Sequence, residues 1–390
     1  MSFFESPPKP KTALGWHRPL SPTAGVKVSP IALGGISLGN QWSELFGKSD
    51  DAFALLDAFY GHGGNFIDAA SSYNDEESEK LLGEWMEARG VRDQMVVATK
   101  FASGYRAHAR DTEPMQSNTT GTSAKSLHLS VRDSLRKLRT DYIDVLYVHW
   151  WDFSTSVEEV MTRLHALVMA RQVLYLGVSD TPAWVVVKAN EFARRNGMTP
   201  FSVYQGRWNA AFRDMEADII PMCEDQGMGI VSWASLGGGQ LTTAEQRRTM
   251  ADDPDAPKGF YGRNDFDIPV SDVIEELATA KGVTFQQVAL AYLFHQSTYV
   301  FPIVGVQTIE HIKAMPGALG VKLSKEEIGR LHDAAPFNPL FPNTFLWKEK
   351  YNTRLTFADQ SSMQMSTWVD APPKPAVSFL RVAKEGLRLT

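Results

Sequence analysis

Two rhythms alternate along the chain. Short apolar runs recur, and each is followed by a longer stretch whose apolar positions return at helical spacing. That is the pattern of repeated strand–helix units around a parallel sheet. Ile31-Ala32-Leu33 precedes residues 51–60, where Phe53, Leu55, Leu56 and Phe59 share one helix face. Residues 65–68 precede a helix over about 76–88, 95–99 a helix over 124–138, and 143–148 a helix over 157–169. In the second half, 173–178 leads to a helix from Pro182, 201–204 to 217–224, 230–233 to 270–280, and 300–304 to a helix near Ile309. Eight strand-like runs, each followed by a helix, favour a closed barrel over an open sheet. An open dinucleotide-binding sheet would want a Gly-x-Gly-x-x-Gly turn opening a helix. Gly34-Gly35-Ile36-Ser37-Leu38-Gly39 has a similar spacing, but no helical pattern follows it. The reading is α/β: a single (β/α)8 TIM barrel domain over 1–390, with its core at about 28–335 and a C-terminal extension at 336–390.

Stretches outside the eightfold rhythm carry their own expectations. Residues 12–30, with Val26 to Val28, suit an N-terminal hairpin closing the bottom of the barrel. Residues 102–123 and 237–269 read as long polar loops after the third and seventh strands, on the side where barrel enzymes place lids. The tail after Phe337 carries Phe345, Trp347, Tyr351 and Trp368, and is expected to drape over the barrel.

Composition narrows the partners. A 43% hydrophobic and 22% charged chain can bury a sizeable core, and a net charge of -6 supplies no basic field for nucleic acid or acidic membrane. The basic run from Arg132 to Arg139 falls on a helix and reads as a solvated face. One cysteine, Cys223, excludes an intramolecular disulfide framework and a Cys-rich metal site, and its apolar neighbours suggest inert packing. No apolar run approaches membrane-spanning length, and residues 1–11 lack the apolar stretch of a signal peptide. A cytoplasmic protein is expected, with the glycosylation-like Asn118-Thr119-Thr120 idle.

The chemistry gathers at the C-terminal ends of successive strands, where a barrel builds its active site. Asp68 ends the second strand, Tyr73 follows in the loop, Lys100 ends the third and His149 the fourth. Delivering hydride to a carbonyl carbon leaves an alkoxide that needs a proton. A phenol can give that proton if a cation lowers its pKa. Lys100 can be that cation, Asp68 its counter-ion, and His149 a second donor to the carbonyl oxygen. No metal ligand set is seen. Singly, each residue has an ordinary structural reading: Asp68 as a cap, Tyr73 as a packing aromatic, Lys100 as a solvated strand end, His149 as a core histidine. Their conjunction on consecutive strands is what points to a site.

Residues 65–73, Asn-Phe-Ile-Asp-Ala-Ala-Ser-Ser-Tyr, with Glu79-Lys80-Leu81-Leu82-Gly83 after them, resemble the aldo-keto reductase signature. So does the stretch from Thr140 to His149. The resemblance runs from about Val28 to Asp333. It is nearest the fungal aryl-alcohol dehydrogenase and norsolorinic acid reductase group, to which Trp150-Trp151-Asp152 and the long tail point. It implies Asp68, Tyr73, Lys100 and His149 as the catalytic set and NADP, or NAD, as cofactor. The cofactor positions implied are Gly35, Asp68, Ser179, Asp180, Gln205, Trp233, Ala234, Leu236, Gly237, Gly239, Gly305, Gln307 and His311.

Three of these positions depart from the family pattern. Asp180 stands where the family has Asn and cannot donate when ionised. Gln307 and Thr308 stand where a basic residue meets the 2′-phosphate of NADPH, with His311 and Lys313 available to compensate. Met315 replaces an Asn that reads adenine. The substrate would meet Tyr73, His149, Trp150 and Trp151. Trp42, Trp208 and the residues around Phe345 could line an apolar pocket but read more readily as packing, whereas Trp150 and Trp151 suit either role equally. The expected activity is NAD(P)H-dependent reduction of an aromatic or polyketide-type aldehyde or ketone, or its reverse, in fungal secondary metabolism. Redox-neutral acid/base chemistry and a regulatory, channel-subunit-like role remain as alternatives.

Overall fold

The computed structural model describes residues 7–252, 261–347 and 350–374. A hairpin comes first, β1 (Arg18–Ser21) paired antiparallel with β2 (Ala24–Val28). Eight parallel strands then close into a barrel: β3 (Ala32–Gly34), β4 (Phe66–Asp68), β5 (Val96–Phe101), β6 (Ile143–Val148), β7 (Val173–Ser179), β8 (Val203–Arg207), β9 (Gly229–Trp233) and β10 (Val300–Gly305). They pair in chain order, and β10 returns to β3 through Ile303↔Ala32 and Gly305↔Gly34.

Alternation along each strand sorts the side chains. In β5, Val96 and Ala98 join Phe66, Val145, Tyr147, Val203, Val231 and Phe301 in a cluster that also holds Leu20, Ala24 and Val28 of the hairpin. Val97 and Phe101 belong instead to the larger cluster shared with the helices. The expected hairpin therefore seals the N-terminal ends of the strands. It is held there by Ser29 N–H donating to Asn65 Oδ1 (2.7 Å) and Thr23 Oγ1 to the Gly227 carbonyl (2.9 Å). The same alternation points Asp68, Lys100 and Gln205 inward, one layer above the apolar floor.

Helical segments follow the predicted places within three residues, and their ends have local causes. Ser123 and Ser156 cap helices 124–137 and 157–169 through their hydroxyls. Gly227 and Gly282 end helices 219–226 and 267–281 in left-handed conformations. Among the helices outside the predicted rhythm are Phe285–Phe294 and Lys325–Ala334, each opened by a capping box. Phe285–Phe294 is buried and apolar from Val288 to its end, with Gln286 and Gln287 confined to its first turn, so it offers little periodic signal.

The two long loops are more structured than expected. Residues 102–123 carry a short 3-10 turn, with Tyr105 and Arg106 bonded to Asp133. Residues 237–269 include the helix Ala244–Asp252 and the start of the helix Asp267–Lys281. The tail packs alongside helix 219–226: Asn343 and Tyr351 donate to the Ala217 carbonyl, Thr353 to Gln296, and Lys374 pairs with Glu224. Its residues 375–390 lie outside the described residues.

Gly83 is a tight point of the outer layer. A Cβ there would sit 2.2 Å from the Lys137 carbonyl oxygen and 2.8 Å from Leu138 Cα, backbone atoms that cannot swing aside. Gly83→Ala should therefore force apart helices 77–89 and 124–137 and destabilise the protein by about 1–3 kcal/mol. A lowered urea midpoint at unchanged slope would show it, and an unchanged midpoint would refute the packing argument.

Candidate active site

The barrel's polar layer is built on one buried ion pair. Lys100 Nζ lies 2.6 Å from Asp68 Oδ2, with the side chains 0% and 3% exposed. The ammonium also donates to the Ala69 carbonyl (2.8 Å) and to Tyr73 Oη (3.1 Å), so its three protons are all engaged. Gln205 Nε2 donates to the other Asp68 oxygen at 2.8 Å. Both ions are hydrogen-bonded on several sides, the condition under which a buried pair is tolerated.

Tyr73 is brought over this pair by a strained loop. The residues after it, Asn74, Asp75 and Glu76, have φ of 48°, 51° and 75°. Left-handed backbone costs on the order of 1 kcal/mol per residue, less for Asn and Asp. The surroundings hold it in place. Asn74 Nδ2 donates to the Ile36 and Leu38 carbonyls, its Oδ1 accepts from Trp42 N–H, and Asp75 accepts from the Trp42 indole. Buried Lys137 pairs with Glu76 (2.9 Å) and Glu79 (2.7 Å) and donates to the Ser71 carbonyl. Glu79, part of the signature-like stretch, also accepts from Thr99 in β5 (2.6 Å). Gly35 belongs to the same packing, since a Cβ there would lie 2.8 Å from the Asp68 carbonyl oxygen.

His149 completes the group. Its ring meets Tyr73 edge-on at 6.1 Å and stacks on half-exposed Trp150 at 4.5 Å. Burial, reinforced by Lys100, pushes the imidazole well below its usual range, so the ring is neutral at pH 7. Ser103 Oγ sits 2.6 Å from Nδ1. When that hydroxyl donates, the ring proton is on Nε2, free to donate to a carbonyl oxygen. Ser103 reaches this place through Ala102, whose φ is +88° and whose carbonyl accepts from Gly121 N–H. The sequence reading missed Ser103; no motif marks a serine in a loop, and its register depends on that strained alanine.

The acid–base balance differs from expectation in one respect. Lys100 alone was expected to lower the Tyr73 pKa. Burial instead dominates, and with Asp68 it holds the phenol above its ordinary value near 10 despite the pull of Lys100. Lys100 pays for burial too, but Asp68 and then Tyr73 outweigh the cost and its pKa is raised. The resting pair is thus a neutral phenol beside an ammonium, the form that gives a proton.

The other candidates divide. Trp42 packs edge-on against Tyr73 at 6.3 Å, so it does border the site. Trp151 and Trp208 do not. Trp151 is buried in the core cluster, and Trp208 is buried with its indole donating to Glu216. Phe345 is 75% exposed on the tail. Cys223 is buried, and burial pushes its thiol up, away from reactivity.

Around the mouth, Ser179 donates to Asp180 Oδ2 (2.9 Å), and the Trp233 indole donates to both Asp180 oxygens (3.0 and 3.1 Å). Crowding by protein raises Asp180 to about 6, though the residue remains open to solvent. Near pH 7 it is therefore an acceptor, suited to an amide N–H rather than an amide oxygen. Ala234 (φ 50°), then Gly237, Gly238 and Gly239 (76°, 61° and 90°), make a left-handed turn, with Leu236 half-buried beneath. A Cβ at Gly239 would meet nothing within 4 Å, and one at Gly305 only Ser37 Oγ at 4.0 Å, so backbone is open to a ligand there. This end fits a dinucleotide.

The adenosine end is less open than the sequence suggested. The Gln307 amide is spent on the Phe46 carbonyl, and His311 Nδ1 accepts from Gln307 N–H. Lys313, offered with His311 to compensate, pairs with Glu310, and Met315, where the family has Asn, is buried in the core. Among the described residues, no cluster of His, Cys, Asp and Glu is placed to hold a metal ion.

Comparison with known proteins adds to this geometry. Residues 30–336 match the family model described as the Aldo/keto reductase family. Norsolorinic acid reductase A of Aspergillus parasiticus is 48% identical, covering 94% of each chain. Aryl-alcohol dehydrogenase [NADP(+)] of Phanerodontia chrysosporium is 50% identical over 88% of this chain and 91% of its own. Aldo-keto reductase ausK of Emericella nidulans is 45% identical over 88% and 87%.

Removing Lys100 alone strands a buried carboxylate, so Lys100→Met should destabilise by about 3–5 kcal/mol, while Lys100→Met with Asp68→Leu recovers most of it. Equal losses in denaturant melts of the two variants would contradict the pairing. Ser103→Ala should lower kcat about tenfold with little change in KM, and Ser103→Thr should restore it. A Ser103→Ala enzyme with unaltered kcat would remove Ser103 from the site.

Proposed function

The chain belongs to the aldo/keto reductase family, and from that premise we propose that it reduces aromatic or polyketide-type aldehydes and ketones to alcohols in fungal secondary metabolism. The supporting observation is Tyr73 Oη poised 3.1 Å from Lys100 Nζ, itself locked to Asp68. The substrate class follows the relatives, whose names carry norsolorinic acid and aryl alcohols. NADP is proposed as cofactor on the dehydrogenase relative named for it, with Asp180, Gln205, Trp233 and the 234–239 turn holding it. No helix among the described residues is long and apolar enough to cross a membrane. We place the enzyme in the cytoplasm.

The bound dinucleotide would supply the hydride; the protein's own residues handle the proton. The substrate oxygen lies between Tyr73 Oη and His149 Nε2, both donors in their resting states. His149 orients and polarises the carbonyl without changing charge. Tyr73 releases its proton to the oxygen as the C–O double bond becomes single. The phenolate left behind is stabilised by the Lys100 ammonium beside it, and is reprotonated from solvent. Asp68 keeps Lys100 charged and fixed, because an unpaired ammonium at this depth would shed its proton. Trp42 and Trp150 flank the position and suit a flat ring.

The sign of the pH dependence follows from the raised Tyr73 pKa. The protonated phenol is the donor for reduction, so that direction should hold through neutral pH and fall only on the alkaline side, above about 10. Alcohol oxidation needs the phenolate and should rise over the same range. Steady-state rates with benzaldehyde and benzyl alcohol across pH check this. Tyr73→Phe should abolish both while NADPH still binds. A protein that bound neither NADPH nor NADH would overturn the oxidoreductase reading and favour acid/base chemistry without a cofactor.

A further inference from the structure

We propose that Arg207 is an oxyanion-recognition residue of the barrel mouth, taking a phosphate or carboxylate carried by a ligand with an aromatic body. The proposal rests on the reading of this mouth as the site of carbonyl reduction. It begins from strand register. Gln205 in β8 points inward to Asp68, and Arg207, two residues on, faces the same way one step nearer the opening. Its guanidinium stands 4.1 Å from the Phe212 ring centre, 4.4 Å from Tyr261 and 6.0 Å from Trp233. Those rings hold the charge in place without neutralising it.

Three other arginines withdrawn from solvent each pair with a carboxylate. Arg92 pairs with Asp144 at 2.8 Å, Arg106 with Asp133 at 2.6 Å and Arg213 with Glu216 at 2.7 Å. Arg207 forms no ion pair among the described residues, and its Nε is buried without a hydrogen-bond partner. The acids nearest it are committed elsewhere. Asp180 takes the Trp233 indole and the Ser179 hydroxyl, and Asp267 takes the backbone and side-chain N–H groups of Asn264. Asp267 feels the Arg207 charge only at a distance, and a guanidinium partly desolvated, braced by aromatic faces and without a carboxylate in contact gains from receiving one. Its fork fits the paired oxygens of a phosphate or carboxylate, and the flanking rings suit a planar group beside that anion.

Two sources supply such an anion at this mouth: the diphosphate of the dinucleotide and an acid group on the carbonyl substrate. Arg207→Met keeps the apolar stem against Phe212 and Tyr261 and removes the charge. Calorimetric titration with NADPH, alongside KM for benzaldehyde and for 4-carboxybenzaldehyde at saturating cofactor, separates the sources. A rise of about tenfold or more in the NADPH Kd, larger at low salt, with both KM values unchanged, assigns the diphosphate. An unchanged NADPH Kd with a similar rise in KM for 4-carboxybenzaldehyde alone assigns the substrate acid. Inorganic pyrophosphate and benzoate, titrated into both proteins, report on the anion site whether or not a dinucleotide binds. Weaker binding of either to Arg207→Met supports the proposal even if the reductase reading fails. A variant of unchanged melting temperature that binds NADPH, pyrophosphate and benzoate as the wild type does, with unchanged KM values, overturns it.

Discussion

The structure turns on the ion pair between Lys100 and Asp68 in the dry centre of the barrel. A parallel barrel of this size fills its interior with side chains, and here the filling changes character with height. Phe66, Val145, Tyr147 and Phe301 form an apolar floor sealed by the hairpin. One layer up, two opposite charges replace hydrocarbon. Neither could stay ionised there alone, so each fixes the other, and Gln205 and the Ala69 carbonyl fix both. Everything catalytic is measured from that point. Tyr73 is set by its bond to Lys100, His149 stands edge-on to Tyr73, and the positive field of Lys100 helps keep His149 neutral.

Holding a loop residue over such a pair needs support from outside the barrel, and the outer layer provides it. Three left-handed residues after Tyr73 are tolerated because Lys137, Glu76, Glu79 and Asn74 bind them to β5, to helix 124–137 and to the turn after β3. Gly83 lets helix 77–89 come close enough for Lys137 to reach. The signature-like stretch from Asn65 to Gly83 is thus one mechanical unit. In the proposed reaction Tyr73 gives the proton and Asp68 holds Lys100, while Glu79 and Gly83 keep the loop in place.

Much of this was legible in the sequence, and the parts that were not share a cause. Strand–helix alternation is a local, periodic signal, so the eight strands, the hairpin and the inward-facing Asp68, Lys100 and His149 could be placed from pattern and register. Helix Phe285–Phe294 escaped because burial of all its residues after the first turn leaves no polar face to mark a period. Ser103 and Arg207 escaped because their positions depend on neighbours distant in sequence: a strained Ala102 for one, Tyr261 and Phe212 for the other. The direction of the Tyr73 shift was misjudged for a related reason. A nearby cation can be read from spacing, whereas the depth of burial opposing it requires the whole fold. Trp151 shows the reverse, where position in a motif allowed contact but packing claimed the side chain.

The central claim is that Tyr73, set by the buried pair, delivers a proton to a carbonyl oxygen as hydride arrives at its carbon. Single-turnover reduction of benzaldehyde by NADPH deuterated at the transferred position, run in H2O and in D2O, tests it most directly. The account requires one deuterium on the carbinol carbon of the product, with cofactor and solvent isotope effects both slowing the same step. Alcohol formed without deuterium, or no alcohol formed by protein saturated with NADPH, would contradict it.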